Sequence, residues 1–124
     1  MKMFKDDLPI YLQLRSHIEE LILKRILAEE DAIPSLRVMA KDYGINPLTV
    51  SSAISLLVEE GILYRKRGIG IFVNRGARDL IINMRSKDFI VETLEPVLNA
   101  ARQLEIPRQV LETKIIEVYG ENNG

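Results

Sequence analysis

Apolar residues return along this chain at two different periods, and the switches between them outline its architecture. Between positions 9 and 27, Tyr11, Leu14, Ile18, Leu21 and Ile22 recur every three or four residues, while Gln13, Glu19, Glu20 and Lys24 sit away from that stripe. The spacing predicts a first amphipathic helix over residues 9–27. Asp6 and Asp7 ahead of it are cap-type residues, and Pro9 suits a first-turn position. Residues 28–34 read as a polar connector. Ser35 is then a good N-cap for a second helix, 36–43, whose Met39, Ala40 and Tyr43 face the core. Gly44 supplies the positive φ that ends it. Ile45 plugs the angle of a tight turn, Asn46 caps a third helix, and Pro47 stands in its first turn, where the missing N–H costs nothing. In that helix Val50, Ile54, Leu57 and Val58 form a buried face, with Leu48, Ser51, Ser52, Ser55 and Glu59 opposite. Gly61 ends it. Residues 62–65 and 71–73 are then rich in β-branched and aromatic residues, which predicts two short strands joined through Gly68 and Gly70.

Helix, tight turn, helix and hairpin, with one helix before them, is the order of a winged helix-turn-helix, which lays its second motif helix in the DNA major groove. From about residue 76 the helical period resumes. Over 78–104, Leu80, Met84, Val91, Leu94, Leu98 and Ala101 are spaced close to a heptad seam. Lys87 interrupts it, and Phe89, Ile90 and Val97 widen it. Pro96 predicts a kink or a new helix with Glu95 at the boundary. Ile106-Pro107 marks a second break, and a last helix carries Val110, Leu111, Ile115, Ile116 and Val118. Residues 120–124 read as a frayed tail. The predicted fold class is therefore mainly α with a small β-hairpin. A winged helix-turn-helix over 1–75 is followed by a short helical dimerisation segment over 76–124. The second segment holds too much apolar surface to stand alone. It either packs on the first or pairs with a second chain. Pairing is favoured, because a two-fold dimer presents two recognition helices to a two-fold related site.

Composition narrows the function. At 124 residues the chain is one domain, or a small domain with an appendage. No apolar run approaches a membrane span, and the opening residues lack the apolar core of a signal peptide. With no cysteine, there is no disulfide framework. A cytoplasmic protein is the simplest expectation. The net charge of −1 argues against a protein that coats nucleic acid non-specifically. Local charge points elsewhere: Arg65, Lys66 and Arg67 are consecutive in the hairpin, and Arg75 follows. In isolation a basic tripeptide is most simply a solvated turn; beside two helices of this kind it suits phosphates. Arg37 and Lys41, four apart on the second helix, share a face that suits the same task. The short, mostly polar face opening the third helix can approach base edges. Thr49 and the serines donate or accept there, and Leu48 can touch a thymine methyl.

These residues make a candidate DNA-binding set of Arg37, Lys41, Pro47, Leu48, Thr49, Ser51, Ser52, Ser55, Arg65, Lys66, Arg67 and Gly68. The candidate dimerisation set is Leu80, Met84, Val91, Leu94, Leu98 and Ala101. A competing reading is a winged-helix module that binds protein without sequence-specific DNA recognition; the basic hairpin beside a small-residue helix face counts against it. An enzyme has little support. There is no cysteine, His17 is the only histidine, and no carboxylate pair sits among partners. No cofactor or metal is expected. Gly68-x-Gly70 opens no helix, so it is not a nucleotide-binding loop. A segment of about 50 residues is short for a ligand pocket of ordinary volume, though a cavity at the dimer interface could still bind a small effector.

Several ordered blocks also carry a resemblance. Pro9-Ile10-Tyr11-Leu12-Gln13-Leu14 opens the first helix and Pro34-Ser35-Leu36-Arg37 the second. Gly44-Ile45-Asn46-Pro47-Leu48-Thr49-Val50 makes the turn, and Glu60-Gly61 and Gly68-Ile69-Gly70-Ile71-Phe72-Val73 follow. Over roughly residues 8–75 this resembles the GntR family of bacterial transcription regulators, and the short helical tail resembles its YtrA branch. The resemblance implies a winged-helix, dimeric repressor, often of a transporter operon. It also implies that Arg37 contacts the DNA backbone, while Pro47, Leu48, Thr49, Ser51, Arg67 and Gly68 read the operator. The chain departs from the family in places. Pro47 stands where arginine is frequent, Ile54 where an aromatic is common in the third helix, and Ile71 where the wing often holds threonine. Arg25, Glu29 and Glu30 stand where a Gly and a Pro-Gly pair often precede the second helix.

Overall fold

The first helix stops before its apolar stripe does, and the way it stops sets up the connector. In the computed structural model, which describes residues 7–121, α1 spans Ile10–Leu23 rather than reaching Leu27. Arg25 adopts φ 60°. Its amide donates to the Ile22 carbonyl at 3.0 Å, and the Ile26 amide to that of Leu21 at 2.9 Å. This is a Schellman closure, built here on an arginine where glycine is usual. At the other end Pro9 itself occupies the N-cap, with no side-chain cap. Asp7 therefore does not cap α1, being too far upstream to reach its free amides; Asp6 lies outside the described residues.

Left-handed backbone costs a non-glycine residue roughly 1–2 kcal/mol. Replacing Arg25 by Gly should therefore raise the stability of the protein by about 1 kcal/mol, after allowing for glycine's greater freedom in the unfolded chain. A shift of the urea midpoint to higher concentration at constant slope checks this.

Leu14, Ile18 and Ile22 of α1 are buried, as the stripe predicts, but Tyr11 is exposed and Leu21 half-buried. Glu19, expected on the outer face, is 6% exposed. Its burial is tolerated because Arg15 lies one turn away, 3.7 Å from its carboxylate. Arg15 also grips Glu60, just past the third helix. Its Nε donates to Oε1 at 3.1 Å and its Nη2 donates to Oε2. A bidentate, part-buried arginine–carboxylate pair is strong and directional, so it fixes how the first and third helices lie together.

Helix α2 (Leu36–Tyr43) and helix α3 (Pro47–Glu59) form as the sequence predicts. Ser35 Oγ accepts from the Val38 amide at 3.2 Å, and Asn46 Oδ1 from the Leu48 amide at 2.8 Å. Gly44 closes α2 at φ 66°, a conformation glycine adopts without penalty. Burial of the Tyr43 phenol, aided by the neighbouring Asp42 carboxylate, raises its pKa above the ordinary 10.0. The neutral phenol thus contributes stability that is complete below pH 10 and is lost as pH rises through the folded-state value. His17 meets the Tyr43 ring edge-on at 5.4 Å. The buried face of α3 is Val50, Ala53, Ile54 and Leu57; Val58 is only half-buried.

The end of α3 displaces the hairpin by one residue. The amides of Gly61 and Ile62 close the helix on the carbonyls of Val58 and Leu57, so Ile62 is committed before the first strand begins. Strand β1 is Leu63–Lys66 and β2 is Gly70–Val73, paired antiparallel from Leu63↔Val73 to Lys66↔Gly70. The connector is more than a linker. Ala32 bridges Phe72. The Glu30 and Ile33 amides donate to Val73 and Ile71, and the Val73 amide donates to Asp31. Residues 30–33 thus cover the outer edge of β2, a protection that exposed edges need. Helix α4 (Ala77–Phe89) begins under Glu29, whose Oε1 accepts from the Gly76 amide at 2.9 Å. Arg78 Nε donates to the Leu23 carbonyl. Ala77 and Ile81 are fully buried with the core of α1, α3 and the hairpin.

The chain divides into two units, Met1–Met84 and Arg85–Gly124. In the second, a π-helical turn (Ile90–Leu94) leads into α5 (Glu95–Gln103), and α6 spans Arg108–Tyr119. Pro96 falls in the first turn of α5, with helical backbone through Phe89, Leu94 and Glu95. The expected boundary at Glu95 is present. The wider π turn ahead of the proline accommodates it without leaving helical backbone. Glu105 (φ 59°) closes α5, and Pro107 precedes α6. Of the predicted seam, Leu80, Val91 and Leu98 are exposed on the single chain, Met84 and Leu94 half-buried, and Ala101 buried. Among the described residues no helix is long and apolar enough to cross a membrane.

Candidate nucleic-acid interface

The turn between α2 and α3 fixes which side chains of α3 are presented. With Val50, Ala53, Ile54 and Leu57 turned into the core, the opposite stripe is left outward. Leu48 is 76% exposed at the second position of the helix. Pro47, Ser52 and Ser55 are exposed; Thr49 and Ser51 are half-buried. The start of a helix carries the positive end of its dipole, which favours anions such as phosphate. Ser52 Oγ donates back to the Leu48 carbonyl at 3.0 Å, so that hydroxyl is left mainly as an acceptor. Arg37 and Lys41 are both exposed on α2.

The hairpin tip is a four-residue turn in which the Ile69 amide donates to the Lys66 carbonyl at 2.9 Å. Its third residue, Gly68, takes φ 76°, the value a type II turn requires there. A Cβ at Gly68 would meet nothing within 4 Å, so the position demands glycine for its backbone and leaves open space around it. Arg67, Gly68 and Ile69 project from the tip, all exposed.

The pleat separates the three consecutive cations, which the sequence presents as one cluster. Arg65 falls on the same side of the hairpin as Leu63, Ile71 and Val73. From there its Nη2 donates to Ser55 Oγ of α3 at 3.2 Å. Lys66 falls on the other side. Its ammonium sits 5.3 Å from the centre of the Phe72 ring, and that ring stacks on Tyr64 at 5.6 Å. Arg67 stands at the tip. Two of the predicted contacts, Ser55 and Arg65, are thus brought together by the fold. Beyond the hairpin Arg75 is exposed. Next to it, Asn74 Nδ2 donates to the Gly61 carbonyl at 3.0 Å and ties the end of β2 to the end of α3.

Sequence reasoning passed over three residues that hold this surface in shape: Asn74, Arg15 and Glu60 as an ion-pair partner. A lone asparagine after a strand carries no signal, and the Arg15–Glu60 pair spans 45 residues. A cavity of about 180 Å³ lies away from these groups, lined by Ile22, Arg25, Leu27, Ala28, Glu29 and Arg78. It is smaller than ordinary small-molecule sites. Among the described residues no cluster of three His, Cys, Asp or Glu is placed to hold a metal ion.

Three comparisons bear on this geometry. The family model for bacterial regulatory proteins of the gntR family matches residues 10–73. The transcriptional repressor YtrA of Bacillus subtilis is 30% identical over 120 residues, covering 97% of this chain and 92% of that protein. Among solved structures, YtrA from Sulfolobus acidocaldarius, a GntR-family transcription factor, is 28% identical with a TM-score of 0.56, covering 100% of this chain and 99% of that one. The DNA-binding domain of AraR in complex with operator ORX1 is 29% identical with a TM-score of 0.54, covering 57% of this chain and 92% of that one.

Proposed function

Because the chain belongs to the GntR family and is a DNA-binding transcription regulator rather than an enzyme, we propose that it is a homodimeric repressor of a two-fold related operator. The observation that carries this reading is the outward stripe of α3, where Leu48, Ser52 and Ser55 are exposed and Ser55 is joined to Arg65 of the basic hairpin. Residues 1–75 supply the DNA-binding part. Phosphate contacts from Arg37, Lys41, Lys66, Arg67 and Arg75 position it, and Pro47, Leu48, Thr49, Ser51, Ser52 and Gly68 lie against the bases and groove. Repression follows the likeness to YtrA of Bacillus subtilis, and the resemblance to the short branch supports a transporter operon as the target.

Residues 76–124 supply the dimer contact in this reading, through Leu80, Met84, Val91, Leu94, Leu98 and Ala101. Support comes from the single chain, where Phe89, Ile90, Val91, Val97, Leu98, Val110, Ile115 and Ile116 are all exposed. That is more large apolar surface than a monomer usually leaves to water. Any small-molecule effector belongs at that interface.

The test is binding to a DNA fragment from the protein's own upstream region, against a scrambled competitor, across a salt series. Tight, competitor-resistant binding with a salt slope of several ions is expected; equal, weak binding to both fragments overturns the reading. Arg67→Ala should lower the slope by about one and weaken binding to all sequences alike. Sedimentation equilibrium should return a dimer of the 14.2 kDa chain, and a dissociation midpoint above cellular concentration would remove the dimer.

A further inference from the structure

We infer that Ser55, held by Arg65, reads one base pair chiefly as a hydrogen-bond donor, and that Arg65 acts there as a positioning residue instead of a phosphate contact. The inference rests on the DNA-binding reading above. Its observation is the bond between two residues that the sequence alone assigns separately to bases and to phosphates: Arg65 Nη2 donates to Ser55 Oγ at 3.2 Å, and both side chains are exposed.

A serine hydroxyl has one proton to give and two lone pairs to accept with. Free to rotate, it suits donors and acceptors alike and so discriminates poorly between bases. Arg65 removes that freedom. Its guanidinium has no acceptor, so the proton cannot turn toward it, and it fills one of the two lone pairs of Ser55; the proton is thus directed outward with only one lone pair left beside it. A cationic donor on the oxygen also polarises the O–H and strengthens it as a donor. The same positive charge repels the amino groups of adenine and cytosine and favours the carbonyl and ring-nitrogen acceptors of guanine. Guanine presents two acceptors and no amino group in the major groove. The pair therefore favours guanine at the base it faces. This supplies guanine preference to a helix that has proline where an arginine is frequent in the family. Ser52 is the contrast: its proton already goes to the Leu48 carbonyl, which leaves it an acceptor. Two serines three apart are thus set to opposite polarity.

The location of Arg65 fits positioning. It lies on the side of the hairpin that carries Leu63 of β1 and Ile71 of β2, and it reaches from the hairpin to α3. The bond therefore also ties the angle of the hairpin to the helix it flanks.

The experiment is a complete base-pair scan of the operator half-site with the full-length protein and four variants, each at several salt concentrations. Wild type should prefer guanine at one pair by about tenfold. Ser55→Ala and Arg65→Met should each flatten the preference at that same pair, leave the other pairs as they were, and leave the salt slope unchanged. Ser55→Thr, which keeps the hydroxyl, should retain the preference. Arg67→Ala should lower affinity for every sequence and keep the profile. A profile unchanged in Ser55→Ala, or an Arg65→Met variant that loses about one unit of salt slope with its profile intact, overturns the inference while leaving the DNA-binding reading standing. Wild-type protein that binds operator and scrambled DNA equally overturns both.

Discussion

Leu48→Glu should abolish operator binding while leaving the protein as stable as wild type, or slightly more so. Leu48 is 76% exposed and occupies the second position of α3, so its side chain contributes little to the core. A carboxylate in the first turn of a helix interacts favourably with the dipole, by about 0.3–1 kcal/mol. Folding therefore gains. Binding loses for the same electrostatic reason. The helix start that welcomes phosphate now carries a negative charge aimed at the DNA, and like charges brought together at an interface cost several kcal/mol. At about 1.4 kcal/mol per tenfold, the loss should exceed roughly 100-fold. Leu48→Ala is the control: it removes a methyl contact without adding charge and should cost only a few-fold. Parallel gel-shift titrations and thermal melts separate the two effects. A Leu48→Glu protein that binds within a few-fold of wild type would place the start of α3 outside the interface.

Ile54→Ala should have the largest effect on stability. Ile54 is fully buried with Leu14, Ile18, Val50 and Leu57, where α3 meets α1. Removing its three outer carbons forfeits their transfer energy and leaves a cavity that the helices on either side can close only in part. For a fully enclosed site the cost is about 3 kcal/mol. In a domain of this size that lowers Tm by roughly 15 °C, and it is a large share of the 5–15 kcal/mol typical of the folded state. Ile54→Val should cost about 1 kcal/mol, since it removes one methyl. Operator affinity measured well below the melting temperature should change little in both, because Ile54 points away from the outward stripe. A loss under about 1 kcal/mol for Ile54→Ala in urea titrations would mean that the two helices collapse around the gap.

Local chemistry was the part most legible in the sequence. Ser35, Asn46 and Pro47 mark helix starts because a cap needs only its own side chain and an amide two or three residues on. Gly44, Gly61 and Gly68 mark stops and turns because a positive φ is a property of one residue. The stripes of α1 and α3 follow from a helical period that needs no partner to be counted. Where the sequence reading missed, the missing information was non-local. Arg25, Glu30 and Glu105 take glycine-like backbone conformations that their identities do not announce. The connector looks like a polar linker until β2 is beside it. Glu19 looks like a solvent residue until Arg15 pairs with it, with Glu60 as the arginine's second partner.

The candidate interface divides along the same line. From the sequence alone came the helix order, the exposed small-residue face of α3, the basic hairpin and the family, since each is written in residues close together along the chain. The tertiary structure alone decided what each charged or polar group on that surface is free to do. Alternation along β1 sends Arg65 toward α3, Lys66 onto an aromatic ring and Arg67 to the tip, though the three are neighbours in sequence. Ser52 and Ser55 have the same side chain and differ only in which oxygen or guanidinium the fold sets beside them. A hydrogen bond depends on where two atoms lie in space, and for Ser55 and Arg65, ten residues apart, that is settled by the meeting of a helix and a strand.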